Sequence, residues 1–498
     1  MPAGPNEDLK NTPKEPELLE VPMSDGARIS MHWYAASVSK APAVLLMTPY
    51  RKEGVNLTNR AQWLNRAGYH FLVADVRGFG GSNAPYAGFL SSREVQDRCE
   101  LVEWIARQTF CDGNVGLAGG SYCGSNQVLV AARKPKGLRC IAPEVNPLDT
   151  YRDWTHRGGI RCHMFWGLTF LNSQHRETER LGLPEYYLDV VYNPTDNARH
   201  QARSPEYMLS QIEVPVFCIG GWHDYFLRPS VRTFQGVKGP KRLLIGPWGH
   251  GEIPESVRIE ELLRWYDYWL RGAGENPSMG KRVRLFRTGI DEWQEQEDWF
   301  DSRKLNWREW RPVPAPRSVR VVSHIAALPP ALNPRKQFLL DGAFASGMSN
   351  WGEDVTFDSE PCTENLDLGG PVGLEAVLSV QACDDVDVHA RLSVVKTNGD
   401  CQQLTEGRLR AGHRAIDLNR SQLTKDGIPI VPWHPHDKEE LMPQGEAVKL
   451  NIEIYPIAHR LFRGERLRLG LSLARADESA APAKATLLPE TRVWLPLS

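Results

Sequence analysis

The segment 115–124 reads Val115-Gly116-Leu117-Ala118-Gly119-Gly120-Ser121-Tyr122-Cys123-Gly124. Its first residues predict a buried strand, and the glycines that follow predict a tight turn into a helix. A serine on such a strand-turn-helix unit is held in a strained backbone conformation, with its hydroxyl exposed above the sheet. Small residues are needed there because the strand and the helix nearly touch. The segment therefore predicts a nucleophile elbow with Ser121 as the nucleophile.

An acid and an imidazole follow at the ends of two later strands. The apolar run 214–219 leads through two glycines to Asp224, and the run 242–245 leads through Gly246-Pro247-Trp248-Gly249 to His250. This order of serine, aspartate and histidine at successive strand ends is that of an α/β-hydrolase. His250 would take the proton from Ser121, while Asp224 would fix the imidazole tautomer. The alternative is that the three are unrelated loop residues.

Composition limits the class of protein. A chain of 498 residues is too long for one hydrophobic core, which predicts two or three domains. A net charge of -2 argues against nucleic-acid binding. Nine cysteines without a Cys-x-x-Cys pair indicate reduced thiols rather than a disulfide framework or a zinc site.

The chain begins without a secretory signal and contains no run of about 18 apolar residues, so we expect a cytoplasmic enzyme with no membrane partner. The helical His-Glu-x-x-His spacing is absent, and His434-Pro435-His436 is interpreted as a structural loop rather than a metal site. We expect neither a metal nor an organic cofactor.

The pattern of apolar residues divides the chain. Strands alternate with helices over 18–147 and 213–280, which predicts a parallel, doubly wound sheet of the α/β class. The aromatic-rich insert 148–212 lacks strand alternation and is interpreted as a helical cap over the active site. Short alternating runs from 281 to 498, beginning with Val283 to Arg287, predict a β-sandwich or jelly roll.

With elbow, cap and β-sandwich in that order, the chain resembles the cocaine esterase-type (CocE/NonD) hydrolases. That group also holds glutaryl acylases, α-amino-acid ester hydrolases and X-prolyl dipeptidyl-peptidases. The family's Gly-x-Ser-Tyr-x-Gly elbow is matched at 119–124, and Thr48-Pro49-Tyr50-Arg51-Lys52 matches its strand-end motif. Further similar stretches are Asp75-Val76-Arg77-Gly78, residues 264–272 and residues 433–436.

The resemblance implies roles for residues outside the triad. Tyr50 Oη and the backbone N–H of Tyr122 would bind the oxyanion. Trp154, Trp166 and Phe226 resemble positions that line the family's acyl pocket. Tyr225 stands where the family often has glycine, which alters the expected pocket shape. His223 is a second histidine near the acid, but His250 matches the family's histidine loop.

The expected activity is hydrolysis of a small ester or activated amide through an acyl-enzyme. One alternative is an α-amino-acid ester hydrolase, X-prolyl dipeptidyl-peptidase or acylase. Recognition of an ammonium would need carboxylates in the cap, for which Glu177, Glu179, Glu185 and Asp189 are candidates. A biosynthetic acyltransferase or a cyclising or cleaving enzyme on the same triad is a further alternative. The acyl and leaving groups and self-association are left open.

Overall fold

A ten-stranded sheet forms the first half of the protein, whose computed structural model describes residues 15–83, 86–162, 193–323, 355–476 and 483–498. Its strands are β1 (Glu17–Pro22), β2 (Arg28–Tyr34), β3 (Ala41–Thr48), β4 (His70–Asp75), β5 (Cys111–Leu117), β6 (Leu138–Ile141), β9 (Val216–Gly221), β10 (Lys241–Gly246), β11 (Val283–Arg287) and β12 (Glu292–Gln296). They lie in the order β1-β2-β4-β3-β5-β6-β9-β10-β11-β12. From β4 to β11 neighbouring strands run parallel, and both edges are antiparallel. The predicted α/β class is confirmed.

Helices cover both faces of this sheet. They are α1 (Val55–Arg66), α2 (Ser92–Ala106), α3 (Tyr122–Arg133), α5 (Leu227–Gly236) and α6 (Glu255–Arg271), with the short α4 (Ala198–Gln201) in the insert. Helices α2, α3 and α5 bury their apolar side chains in one core cluster, whereas α1 and α6 contribute to a second. All eight residues of β3 are buried, as expected for a parallel strand covered on two sides.

One strand pairs differently from the prediction. Val283–Arg287 was expected in the β-sandwich, but it is β11 and pairs in parallel with β10 of the first sheet. Its alternating burial pattern is that of a strand near a sheet edge, and alternation alone does not tell which sheet a strand joins. The position of the boundary between the two domains, placed at 280 from the sequence, stays a prediction.

The described part of the insert contains little regular helix. It comprises a π-helical segment (Thr150–Thr155), the short strands β7 (His156–Arg157) and β8 (Ile160–Arg161), helix α4 and a 3₁₀-helix (Pro205–Gln211). Residues 163–192 lie outside the described residues. They include Trp166 and the four candidate carboxylates. The helical cap therefore remains a prediction.

The second half of the protein is β-structure in which all strand pairs but β14–β22 run antiparallel among the described residues. Its strands are β13 (Asn306–Trp310), β14 (Arg317–Ser323), β15 (Val355–Asp358), β16 (Leu366–Gln381), β17 (Val386–Val395), β18 (Cys401–Arg410), β19 (Gln422–Leu423), β20 (Pro429–Val431), β21 (Val448–Leu461), β22 (Arg466–Arg475), β23 (Ala483–Leu487) and β24 (Arg492–Leu497). The long strand β16 pairs with β21, β24 and β23, which curls the sheet around an aliphatic core. The all-β, jelly-roll-like domain is confirmed.

Two buried arginines join the insert and the sheet domain to the β domain. Arg152 forms ion pairs with Asp149 (2.8 Å) and Asp196 (2.7 Å) of the insert and donates to the carbonyl oxygens of residues 434 and 435. Arg228 on α5 pairs with Asp153 (3.2 Å) and with Glu453 of β21 (2.7 Å). Removal of the β domain would leave these guanidinium groups without several of their partners, so we expect the two halves to unfold together.

All nine cysteines fall within the described ranges, and all are free thiols. Across the same ranges, the helices fall short of the length and apolarity that crossing a bilayer requires.

Candidate active site

Ser121 lies at the tip of the turn between β5 and α3. Its backbone angles are φ 56° and ψ -127°, a region that side-chain-bearing residues seldom adopt, and its N–H donates to the carbonyl oxygen of Glu144 (2.9 Å). Gly119 (φ 121°) is required, because a Cβ there would lie 2.7 Å from Cβ of Cys123. A Cβ on Gly124 would come equally close to Asn146. The predicted elbow geometry is therefore present, with Ser121 raised at the start of the helix.

Asp224 and His250 meet at the carboxyl ends of β9 and β10. Oδ2 of Asp224 lies 2.8 Å from Nδ1 of His250, and Oδ1 accepts the backbone N–H of Phe226 (2.6 Å). Because a carboxylate accepts hydrogen bonds, the hydrogen of the neutral ring is on Nδ1, and Nε2 is left as the acceptor. Asp224 is only 2% exposed, so its charge is held by these contacts rather than by water.

Tyr50 and Tyr122 lie beside the nucleophile. The phenol oxygen of Tyr50 lies near the backbone N–H of Tyr122 and the side chain of Ser121. Burial of this oxygen raises the pKa of Tyr50 well above its usual range, so the phenol stays a neutral donor. Tyr50 lines the cavity described below, and the residue is 43% exposed. Two donors thus converge near Ser121.

Buried ionic contacts hold both tyrosines. The Tyr122 hydroxyl donates to Glu94, which also accepts from Asn126 (2.8 Å). The loop that carries Tyr50 is fixed by Asp75, whose carboxylate accepts from the backbone N–H (2.8 Å) and Nζ (2.9 Å) of Lys52. Asp75 belongs to the family-like stretch 75–78, so the structure gives that stretch a role in positioning the site.

Tyr225 is stacked against the imidazole of His250. The ring centroids are 4.5 Å apart with 27° between the planes, and the guanidinium of Arg157 lies 4.8 Å from the centroid of the tyrosine ring. Tyr225 is 8% exposed, so it packs as a buried spacer between a cation and the imidazole. A residue with glycine's size could not make this contact.

An open cavity of about 660 Å³ contains Ser121, His250 and Tyr50 in its wall. Charged side chains form part of its lining, together with apolar ones such as Leu57 and Ile253. Glu144, at the end of β6, forms ion pairs with Arg60 of α1 (3.1 Å) and Arg258 of α6 (2.9 Å). The two arginines hold the pKa of Glu144 below its usual value against the opposing effect of burial, so the carboxylate stays ionised.

The predicted pocket residues that the structure describes are packed near His250 rather than in the open cavity. Phe226 is fully buried with its ring 5.5 Å from that of His250, and Trp154 is 4% exposed with its ring 5.7 Å from Phe226. Neither lines the open cavity. Trp166 lies outside the described residues. The substrate-binding role of all three stays a prediction.

His223 contacts a different part of the protein. It lines a small cavity with Thr288 and Gln403, away from Ser121, and burial lowers its pKa. Its backbone N–H donates to the carbonyl oxygen of Trp248 (3.2 Å). Of the two histidines, only His250 shares a cavity with Ser121.

A second group of histidines is buried between the insert and the β domain. This histidine cluster comprises His156, His200, His413, His434 and His436, gathered near Tyr151. Burial lowers the pKa of His156 and His436 well below the usual value and that of His413 to about 4. In the part of the chain that the structure describes, no group of three or more His, Cys, Asp or Glu residues is placed to hold a metal ion.

Sequence analysis did not identify Arg60, Glu144 or Arg258 as site residues. They come from three elements far apart in the chain, and none belongs to a local motif. Only the position of Glu144 just after β6 could have indicated a place in the site, because the carboxyl ends of parallel strands lie at the edge of the sheet where active sites form.

Comparison with known proteins agrees with this architecture. Residues 25–252 match the X-Pro dipeptidyl-peptidase (S15 family), and residues 279–482 match the X-Pro dipeptidyl-peptidase C-terminal non-catalytic domain. A cocaine esterase of Rhodococcus sp. (strain MB1 Bresler) is 29% identical over 56% of this chain, and the alignment spans 59% of that relative's length. A putative serine esterase of Mycobacterium bovis is 23% identical, covering 95% of this chain and 92% of the relative.

Solved structures share the whole fold. A CocE/NonD family hydrolase from Staphylococcus aureus has a TM-score of 0.78 at 18% identity, covering 96% of this chain and 93% of its own. An α-amino acid ester hydrolase has a TM-score of 0.76 at 16% identity and covers 100% of both chains. The chain therefore carries an X-Pro dipeptidyl-peptidase (S15 family) domain followed by the C-terminal non-catalytic domain of such enzymes, and it is a serine hydrolase similar to the cocaine esterase.

Proposed function

We propose that this protein hydrolyses a carboxylic ester of a small organic molecule through an acyl-enzyme on Ser121. The observation that carries the proposal is the 2.8 Å contact between Asp224 and Nδ1 of His250 at the wall of the cavity into which the Ser121 turn projects. In this proposal His250 is the general base, Asp224 fixes its tautomer, and Tyr50 with the Tyr122 N–H binds the oxyanion.

The reaction follows from these positions. Nε2 of His250 takes the Ser121 proton as Oγ bonds to the ester carbonyl carbon, and the carbonyl oxygen becomes an anion facing the two donors. When the ester C–O bond breaks, the imidazolium gives its proton to the departing alcohol. A water molecule, deprotonated by His250, then attacks the acyl carbon and releases the acid and free Ser121.

The charged wall of the cavity favours an ester over an N-terminal peptide. A peptidase that binds a free ammonium needs a carboxylate available to it. Among the described residues that line the cavity, the acidic side chains are Glu144 and Glu255, and both are already paired with arginine. The esterase names of two relatives support the same choice, although two Bacillus relatives are named putative Xaa-Pro dipeptidyl-peptidases. We also propose a cytoplasmic location, because nine free thiols suit a reducing compartment.

Labelling with a fluorophosphonate tests the nucleophile. The wild type is expected to label and to hydrolyse phenyl acetate, and Ser121→Ala is expected to lose both properties. Ser125→Ala is the matched control, since Ser125 lies one turn along α3 and its hydroxyl donates to the carbonyl oxygen of Pro147. Labelling that persists in Ser121→Ala, or a wild type that prefers an amino-acid anilide to phenyl acetate, would overturn the proposal.

A further inference from the structure

The charges that line the cavity do not cancel. Arg51, Arg60 and Arg258 are basic, whereas Glu144 and Glu255 are acidic, which leaves one positive charge in excess. Both carboxylates are occupied. The Glu144 oxygens contact Arg60 (3.1 Å) and Arg258 (2.9 Å), and Glu255 pairs with Arg258 and accepts from Nε1 of Trp63 (2.9 Å).

Arg51 is the source of the excess. Within the described ranges, no carboxylate lies within ion-pair distance of its guanidinium, whereas Arg60 pairs with Glu144 and Arg258 pairs with both Glu144 and Glu255. Arg51 directly follows Tyr50, and its left-handed backbone (φ 73°) carries its exposed side chain into the cavity lining. A left-handed arginine is strained, and such strain is retained where the surrounding structure requires it.

The paired arginines add hydrogen-bond capacity on the same wall. Their side chains are only 11% and 13% exposed, so they lie in a partly dehydrated setting where charge–charge contacts are stronger than in bulk water. A guanidinium has five N–H donors, and Glu144 and Glu255 together use only some of those that Arg60 and Arg258 offer. An incoming carboxylate could therefore bind Arg51 without displacing Glu144.

We propose that the preferred substrate is an ester bearing a free carboxylate, held by Arg51 on this wall while its carbonyl lies at Ser121. This inference rests on the proposed esterase function and specifies its substrate class. The carboxylate could belong to the acyl part or to the alcohol part, and both bring the same negative charge to Arg51. Neutral esters of the same size would bind the same cavity without that contact.

Two pairs of esters distinguish a carboxylate on the acyl part from one on the alcohol part. The monophenyl ester of adipic acid places the carboxylate on the acyl part, and phenyl hexanoate is its neutral counterpart. Acetoxybenzoate carries the charge on the leaving group, and phenyl acetate is its neutral counterpart. In at least one pair, the wild type is expected to show a kcat/KM about 10- to 100-fold higher for the charged ester, as for a charge-assisted hydrogen bond. The preference should shrink with added salt.

Variants at Arg51 then test the residue. Arg51→Gln is expected to bring the charged-to-neutral ratio close to one, and Arg51→Lys to retain part of it. Arg107→Gln, at an exposed arginine beyond the end of α2, should leave the ratio at its wild-type value. Equal kcat/KM within both pairs in the wild type, or a ratio that Arg51→Gln does not change, overturns the inference while leaving the esterase function standing. Failure of all four esters to react in a Ser121-dependent way would overturn both.

Discussion

Replacing Tyr50 with phenylalanine removes one hydroxyl from the point where two donors meet beside Ser121. In the structure the Tyr50 oxygen lies near both Ser121 and the N–H of Tyr122, so the phenol and that N–H can act on one developing oxyanion. Loss of one preorganised donor of this kind lowers kcat by about 10²- to 10³-fold, equivalent to about 2.7–4 kcal/mol. Because the donor acts on charge that exists only in the transition state, KM should change little.

Steady-state hydrolysis of phenyl acetate measures both constants. Tyr268→Phe is the matched control, since Tyr268 lies on α6 with its ring against Trp269 and outside the cavity lining. Thermal unfolding of both variants checks that neither change disturbs the fold. If Tyr50→Phe keeps kcat within about threefold of wild type, the phenol does not bind the oxyanion. A rise in KM alone would instead assign Tyr50 to ground-state binding.

Three further outcomes are expected. Asp224→Asn should lower kcat by about 10⁴-fold, because an amide in place of the carboxylate favours the wrong tautomer of His250; single-turnover acylation rates measure this, and a loss under tenfold would contradict it. Tyr225→Leu should lower kcat and shift the pH–rate profile, whereas Tyr225→Phe keeps the stacked ring and should restore both; equal effects of the two changes would exclude a stacking role. The histidine cluster should weaken the fold in acid. Burial depresses the pKa values of His156, His413, His434 and His436, so below pH of about 6.5 the unfolded chain binds protons that the folded one does not. For each such histidine, the free energy of unfolding falls by up to about 1.4 kcal/mol per pH unit as the pH drops towards the pKa of the folded state. Asp385, whose pKa burial raises to about 6, acts in the opposite sense below that pH. Urea unfolding at pH 7 and pH 5 tests this. The free energy of unfolding should differ less between the two pH values in His436→Gln than in the wild type, and an equal difference would contradict the role of the cluster.

Local motifs made most of the fold predictable. The strand-turn-helix around Ser121, and the glycine loops before Asp224 and His250, depend on neighbours in sequence, and the structure places them close to the predicted positions. Helix α2 begins at Ser92, where the side chain of Ser91 accepts the N–H of Glu94 (3.2 Å) and caps the first turn.

What sequence patterns could not supply were contacts between distant segments. Arg60 in α1, Glu144 just after β6 and Arg258 in the first turn of α6 meet only in the folded protein, and their spacing in the sequence does not predict the contact. Tyr225 was recognised as an unusual residue, but its contacts with His250 and with Arg157 of the insert join segments that are distant in the sequence. Charge and stacking in the site are therefore tertiary properties.

The left-handed backbone at Ser121 has a consequence for evolution of the chain. Glycine would fit this turn without strain, so the residue that serves as nucleophile in the proposed function is also one that weakens the native state. Selection for activity and selection for thermal endurance therefore oppose each other at this single position. In a duplicated copy released from its chemical role, drift to glycine at position 121 would bring a gain in durability, and such a substitution would mark a lineage that has abandoned catalysis.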